Sequence, residues 1–209
     1  IASSGDLVSA FHSVLSQKQL DDHRRASVVV KEVARAAFER AADAIRSGAP
    51  TSEGMLSAWI IEQLQSQGLV DQVSCIVAIG PRASDSHYAP VGDGEAIKRG
   101  DLLLIDLWGA FSGSVAADQT WMGVLASEVD DRTREIWEAV RDARDAALEF
   151  LCTRFDAGED VMGLEVDDVS RAVITDRGYG EFFVHRTGHS IDIDLHGSGP
   201  NLDNLASRD

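Results

Sequence analysis

The sequence predicts a mixed α/β domain, with antiparallel sheet between two helical layers. Three observations carry that expectation. Long stretches repeat their apolar residues at helical spacing. Short apolar runs bounded by turn residues read as strands. The block of long helix, Gly turn, shorter helix, Gly and apolar strand occurs twice, with Gly48 matched by Gly158 and Gly68 by Gly178, both 110 residues apart. Identity between the copies is low, which reads as two pseudo-symmetric halves rather than a tandem solenoid.

Each element follows in order. In residues 17–46, Val30, Val33 or Ala34, Ala37, Ala41 and Ile45 form one apolar face, with Arg and Glu opposite. Gly48 and Pro50 end that helix, and Thr51-Ser52-Glu53 supplies a new N-cap. Leu56, Ile60 and Leu64 mark a second helix that closes at Gly68. Residues 73–79 and 102–108 read as strands, and 113–124 as a turn and a third strand. Ile136, Val140, Ala143, Ala147, Phe150 and Leu151 outline a long helix ending at Gly158. A shorter one spans about 166–177 and stops at Gly178. The acidic run 165–168 reads as charge complementing a helix start. Trp59 and Trp137 read as packing residues.

Composition narrows the function. The chain has 209 residues, 44% apolar and 26% charged, the balance of a folded globular protein. Thirty-five acidic against 19 basic residues leave a formal charge of −16. That argues against nucleic acid or an anionic membrane as partner, since both need clustered basic side chains. The apolar runs are too short to span a bilayer. Cys75 and Cys152 lie in apolar stretches with no C-x-x-C spacing, and are expected to be buried reduced thiols of a cytoplasmic protein. A start at Ile1 without a signal-peptide pattern, and a polar end at Asp209, suggest a piece of a longer polypeptide.

Asp106 interrupts an apolar strand, Leu-Leu-Leu-Ile-Asp106-Leu-Trp, where an unpaired carboxylate is costly unless it lies on a water-facing edge strand. The turn at Phe111-Ser-Gly-Ser sends the chain back through Asp118. An antiparallel hairpin there sets Asp118 beside Asp106, and two adjacent carboxylates call for a shared proton or a cation. Oxygen donors suit a hard or borderline divalent ion. Three of the six histidines fall in His185-Arg-Thr-Gly-His189-Ser-Ile-Asp-Ile-Asp-Leu-His196, in a loop or strand rather than a helix because of Thr187-Gly188. His87 sits in a loop after the first strand, a place where binding residues gather. His12 and His23 read as solvated. No P-loop, G-x-S-x-G or dinucleotide fingerprint is present.

Gly100-Asp-Leu-Leu-Leu-Ile-Asp106-Leu, Ala117-Asp118-Gln-Thr120, His185-Arg-Thr-Gly-His189 and Leu195-His196, in that order, resemble the pita-bread metallopeptidases: methionine aminopeptidase, aminopeptidase P and prolidase. The resemblance covers roughly residues 20–200, and the histidine motif is closer to the aminopeptidase P and prolidase branch. It implies a pita-bread fold, two pseudo-symmetric halves with a mostly antiparallel curved sheet covered by helices. It also implies metal-dependent hydrolysis of Xaa-Pro peptides at the N-terminus, through a hydroxide bridging two divalent ions of manganese, cobalt or zinc. Asp106 would bind one ion, Asp118 both and His189 the second, with His87, His185 and His196 as catalytic contacts to substrate or tetrahedral intermediate. A peptide substrate and a homodimer are the partners implied. Residues 1–16 would be a linker from an N-terminal domain, and 17–209 a catalytic-type domain lacking its last strands.

The sequence departs from that pattern in places. The interval from Asp106 to Asp118 is one residue longer than is usual for the family, which predicts a bulged hairpin. Ser190 and Asp192 replace glycines, Gly197 follows His196 in place of an acid, and no Glu occurs after Glu181, although the family's last two ligands are glutamates. Two other functions share the fold: creatinase-like C–N hydrolysis without metal, and an inactive module that binds peptides or proteins.

Overall fold

The computed structural model describes Ser9, Phe11 and residues 13–85 and 88–205. The chain divides into two compact units, one built on 15–128 with 193–195, the other on 129–192 with the described residues on either side of the first.

In the first unit, helix α1 (Gln17–Ser47) opens on a capping box in which Ser16 and Gln19 satisfy each other's backbone amides. It buries Val30, Val33, Ala34, Ala37 and Ala41 on the face its periodicity predicts, extends that face back to Ala26, and leaves Ile45 only partly buried against the core. Helix α2 (Glu53–Ser66) is capped by Ser52 and buries Leu56, Ile60 and Leu64. Strands β1 (Asp71–Ile79), β2 (Leu102–Ala110) and β3 (Ala117–Val124) form an antiparallel sheet in that spatial order. β2 is therefore central, which overturns the edge-strand reading of Asp106. Along β2 burial alternates: Leu103, Ile105 and Leu107 are fully buried in the core shared with α1 and α2, while Leu104, Asp106 and Trp108 are half-exposed on the opposite face. On β3 the Phe38 ring of α1 lies so close to Gly123 that a Cβ there would come within 2.7 Å of it.

The hairpin register is regular from the Leu102–Val124 pair to the Gly109–Ala117 pair. No bulge forms in it. The extra residue lies in the connection 111–116, where an exposed turn accommodates length more easily than a ladder. The register shift in this sheet lies instead between β1 and β2, at Asp71/Ser74. His23 is not simply solvated: its Nδ1 lies 2.8 Å from the Ala116 carbonyl, which ties α1 to that connection.

In the second unit, helix α3 (Asp131–Asp156) is capped by Asp130 and helix α4 (Gly163–Asp176) packs against it. Ala139 and Ala143 meet Ile174 and Tyr179 in a small core, with the Arg132 guanidinium over the Tyr179 ring. The doubled pattern holds at the level of helices: α4 begins and ends 110 residues after α2. Gly48, Gly158, Gly68 and Gly178 all take positive φ, from 70° to 89°, closing their helices in the left-handed conformation that favours Gly.

The symmetry stops at the strand. Where the first half has β1, the second has a 3₁₀ turn (Gly180–Phe182) and irregular backbone, because among the described residues nothing pairs with it as β2 pairs with β1. An isolated bridge joins Gly188 and Leu202. The consequence is visible on α3. Ile136, Val140, Leu148, Leu151 and Phe155 are exposed, although the residues 110 positions earlier, Ala26, Val30, Phe38, Ala41 and Ile45, lie in or against the core of the first unit. Trp137 is half-exposed too. Cys152 is likewise exposed rather than buried, since the buried stripe of α3 runs through Ala139, Ala143 and Ala147 and leaves position 152 on another face.

Candidate metal centre and histidine loop

Two groups of the sequence-predicted residues assemble, one in each unit. On the β2–β3 hairpin, Asp106 is opposite Thr120 and Asp118 is opposite Trp108. The two carboxylates are thus diagonal neighbours on one face, the face turned away from the buried Leu103, Ile105 and Leu107. Diagonal neighbours of this kind lie roughly 7 Å apart. The Thr120 hydroxyl donates to Asp106 Oδ1 at 2.8 Å, fixing the carboxylate's orientation. On the other face, Gln119 donates to the Ser27 carbonyl and hydroxyl of α1, which anchors β3 beneath the acidic pair.

In the second unit, His185, His189 and His196 lie in the irregular segment after α4. The His189 and His196 rings meet edge to face, with centroids 4.5 Å apart. His189 Nδ1 is 3.0 Å from the Ser190 carbonyl and His185 Nδ1 is 3.3 Å from that of Arg186. A carbonyl can only accept, so Nδ1 is the donor in both contacts. Partial desolvation, with His189, Arg186 and His185 nearby, pushes the His196 imidazole below its usual pKa and favours its neutral form. Asp192, where the family pattern has Gly, accepts from the Ser198 amide and hydroxyl, both at 2.9 Å, and so folds the loop back on itself. His87 and His12 lie outside the described residues.

One residue that sequence reading passed over holds this loop. Asp167, read as a helix-start charge, is a buried carboxylate in α4. It accepts from the Thr187 amide at 2.8 Å, the Thr187 hydroxyl at 2.6 Å, Arg171 Nε at 2.6 Å and the Asn204 amide at 3.1 Å. Burial alone would raise its pKa, but the hydrogen bonds from Thr187 and Arg171 outweigh that and hold it below the ordinary value. The available signal was its place between apolar Val166 and small Ser170, on the buried face of α4.

Asp106 and Asp118 suit a divalent ion as oxygen donors, and neutral His189 as a nitrogen donor. Among the described residues no group of three or more His, Cys, Asp or Glu is gathered closely enough to enclose one.

A hairpin carrying paired carboxylates, followed by a helix pair and a histidine loop, is the order expected of a pita-bread α/β protein. The sequence pattern of metallopeptidase family M24 matches residues 24–209, and the chain belongs to that family. It is 35% identical over 162 residues to the Xaa-Pro dipeptidase of Lactobacillus delbrueckii subsp. lactis, covering 77% of this chain and 41% of that protein. It is 34% identical over 121 residues to the Xaa-Pro dipeptidase of Pyrococcus furiosus, covering 58% of this chain and 32% of that protein. Among solved structures, the X-Pro aminopeptidase of Thermotoga maritima superposes with a TM-score of 0.73 at 26% identity, covering 96% of this chain and 55% of that one. The prolidase of Thermococcus sibiricus, at a TM-score of 0.75 and 24% identity over 95% of this chain and 51% of its own, shares the fold. The chain thus spans about two-fifths of the curated relative it matches first, and about half of the solved structures.

Proposed function

We propose that the protein is a metal-dependent peptidase that removes the N-terminal residue from Xaa-Pro peptides, as an aminopeptidase or a dipeptidase. The observation that supports this most is the pair Asp106 and Asp118 on one face of the β2–β3 hairpin, in a chain of family M24. In this reading Asp106 and Asp118 hold two divalent ions together with His189. Manganese, cobalt and zinc all suit such mixed donors. Bound ions supply Lewis-acid polarisation of the scissile carbonyl and activation of water. The chain's own residues do the rest. Thr120 keeps the Asp106 carboxylate oriented, His189 presents Nε2, and His196, neutral at physiological pH, donates or accepts one hydrogen bond to substrate without adding charge. His87 and His185 are assigned to substrate contact. Residues 1–16 are proposed as a linker and 17–209 as the catalytic-type domain. Two free cysteines, one of them buried, suit a reducing compartment such as the cytoplasm. No helix among the described residues is long and apolar enough to cross a membrane. A homodimer completes the reading.

A second reading is favoured by one specific feature. Asp192 and Ser190 occupy glycine positions of the family pattern and are both engaged in the loop's own hydrogen bonds, as a binding module without catalysis would permit. Metal content and cleavage of Xaa-Pro dipeptides and Xaa-Pro-Yaa tripeptides by the whole protein separate the two. About two ions per chain with proline-dependent cleavage lost in Asp118→Ala supports the peptidase. No ions and no cleavage supports the module. No ions with turnover of creatine supports the third possibility, C–N hydrolysis.

A further inference from the structure

Among the described residues no ladder pairs with the histidine loop, and yet its backbone has a defined anchor. Thr187 lies between His185 and His189, and both of its donors, amide and hydroxyl, end on Asp167 Oδ1. Arg171, one turn further along α4, donates to Asp167 through Nε and to the carbonyls of Phe183 and His185 at 2.8 and 2.7 Å. The Phe183 ring lies under its guanidinium, 4.4 Å from ring centroid to Cζ. On the far side of the loop, the Asn204 amide also ends on Asp167 Oδ2, and the Gly188–Leu202 bridge closes the strand-like pair between. A single buried carboxylate therefore gathers donors from both arms of the segment that carries the histidines. A charged group so placed is tolerated in the core because those donors compensate its burial.

We infer that Asp167, through Thr187 and Arg171, is a positioning residue that sets the backbone of the His185–His189 segment and thereby the orientation of the His189 ring. It acts through its hydrogen bonds to Thr187, Arg171 and Asn204. The inference rests on the proposed function only in its last step, the consequence for catalysis. The geometric step stands on hydrogen bonds within one unit. Asn at position 167 offers one carbonyl oxygen and one NH₂, and that NH₂ faces donors from Arg171 or Thr187 with which it cannot bond. Glu restores charge and acceptors on a longer arm.

The test uses the full 209-residue chain and nuclear magnetic resonance, with turnover of the whole protein as a second readout. In Asp167→Asn, exchange of the Thr187 amide should quicken ~10-fold or more, as expected for losing a hydrogen bond to a charged acceptor. The cross-peak between the His189 and His196 rings should weaken, while amides of β2 keep their protection. Asp167→Glu should restore part of both. Asp176→Asn, at the exposed far end of α4, should change neither. If Asp167→Asn does not fold, Thr187→Val decides: it removes one donor at a half-buried position, and should weaken the ring cross-peak with the helices intact. Unchanged ring contact and Thr187 protection in a folded Asp167→Asn or Thr187→Val overturns the inference. In the whole protein, Asp167→Asn should lower kcat more than it raises KM. Release of the loop in a protein that cleaves no Xaa-Pro peptide refutes the proposed function and leaves the positioning role. Normal kcat beside normal turnover of wild type refutes the positioning role alone.

Discussion

The Thr120 hydroxyl donates to Asp106 across the β2–β3 ladder at 2.8 Å, so the central acid of the sheet is held by its direct cross-strand partner. Thr120 is exposed and adds little to the core. Replacing it with Val keeps the branched shape and removes only the hydroxyl. Thr120→Val should therefore leave thermal stability nearly unchanged. In the whole protein it should weaken metal affinity or kcat/KM ~10-fold, the usual cost of losing a hydrogen bond that orients a ligating carboxylate. Activity unchanged within twofold would show that Asp106 is oriented by other means.

The 209-residue chain should bind Mn²⁺ weakly and hydrolyse Xaa-Pro peptides slowly or not at all. Its described residues bring no three donors together, and two carboxylates alone leave an ion mostly hydrated. Titration calorimetry should show at most one loose site, abolished in Asp118→Asn. Two tight sites with ordinary turnover would mean that the ligands have been misassigned.

The two thiols should react at very different rates. Burial pushes the Cys75 thiol up to about 11, the Ser57 hydroxyl opposing this and the nearby Asp106 charge adding to it. Cys152 is exposed on α3. At pH 7.5 a thiol-disulfide reagent should label one thiol fast and the other only after denaturation. Cys152→Ser should remove the fast phase. Two equally fast phases would contradict the packing of β1 on α2.

Acid should expose the role of Asp167 in stability. Its pKa is held below the unfolded value, so its contribution is complete above that value and is lost as pH falls through the folded one. The gap in melting temperature between wild type and Asp167→Asn should stay constant from about pH 5 to 8 and close below about pH 4. Calorimetry across that range checks the sign. A gap that widens in acid contradicts it.

Much of this was legible in the sequence, for reasons that can be named. Val30 to Ala41 and Leu56 to Leu64 recur at helical spacing because each helix buries one face. The glycines at 48, 68, 158 and 178 announce helix ends because few other residues accept positive φ. Asp106 stood out against its apolar neighbours, and the hairpin register then placed Asp118 on the same face. Long-range partners were less legible. Val140 and Leu151 follow the same period whether or not a sheet covers them, so their exposure could not be read from spacing. The strand expected after Gly178 needs a pairing partner, which local sequence does not reveal. Asp167 read as a helix-start charge because its donors come from residues 171, 187 and 204.

The exposed stripe of α3 has a calorimetric consequence. Ile136, Val140, Leu148, Leu151 and Phe155 already meet water in the folded chain. Unfolding therefore wets less new hydrocarbon than the composition would suggest. The heat-capacity increment should fall below the usual ~12–15 cal/mol/K per residue, so the stability curve of this chain is flatter with temperature than that of a fully covered domain of equal length.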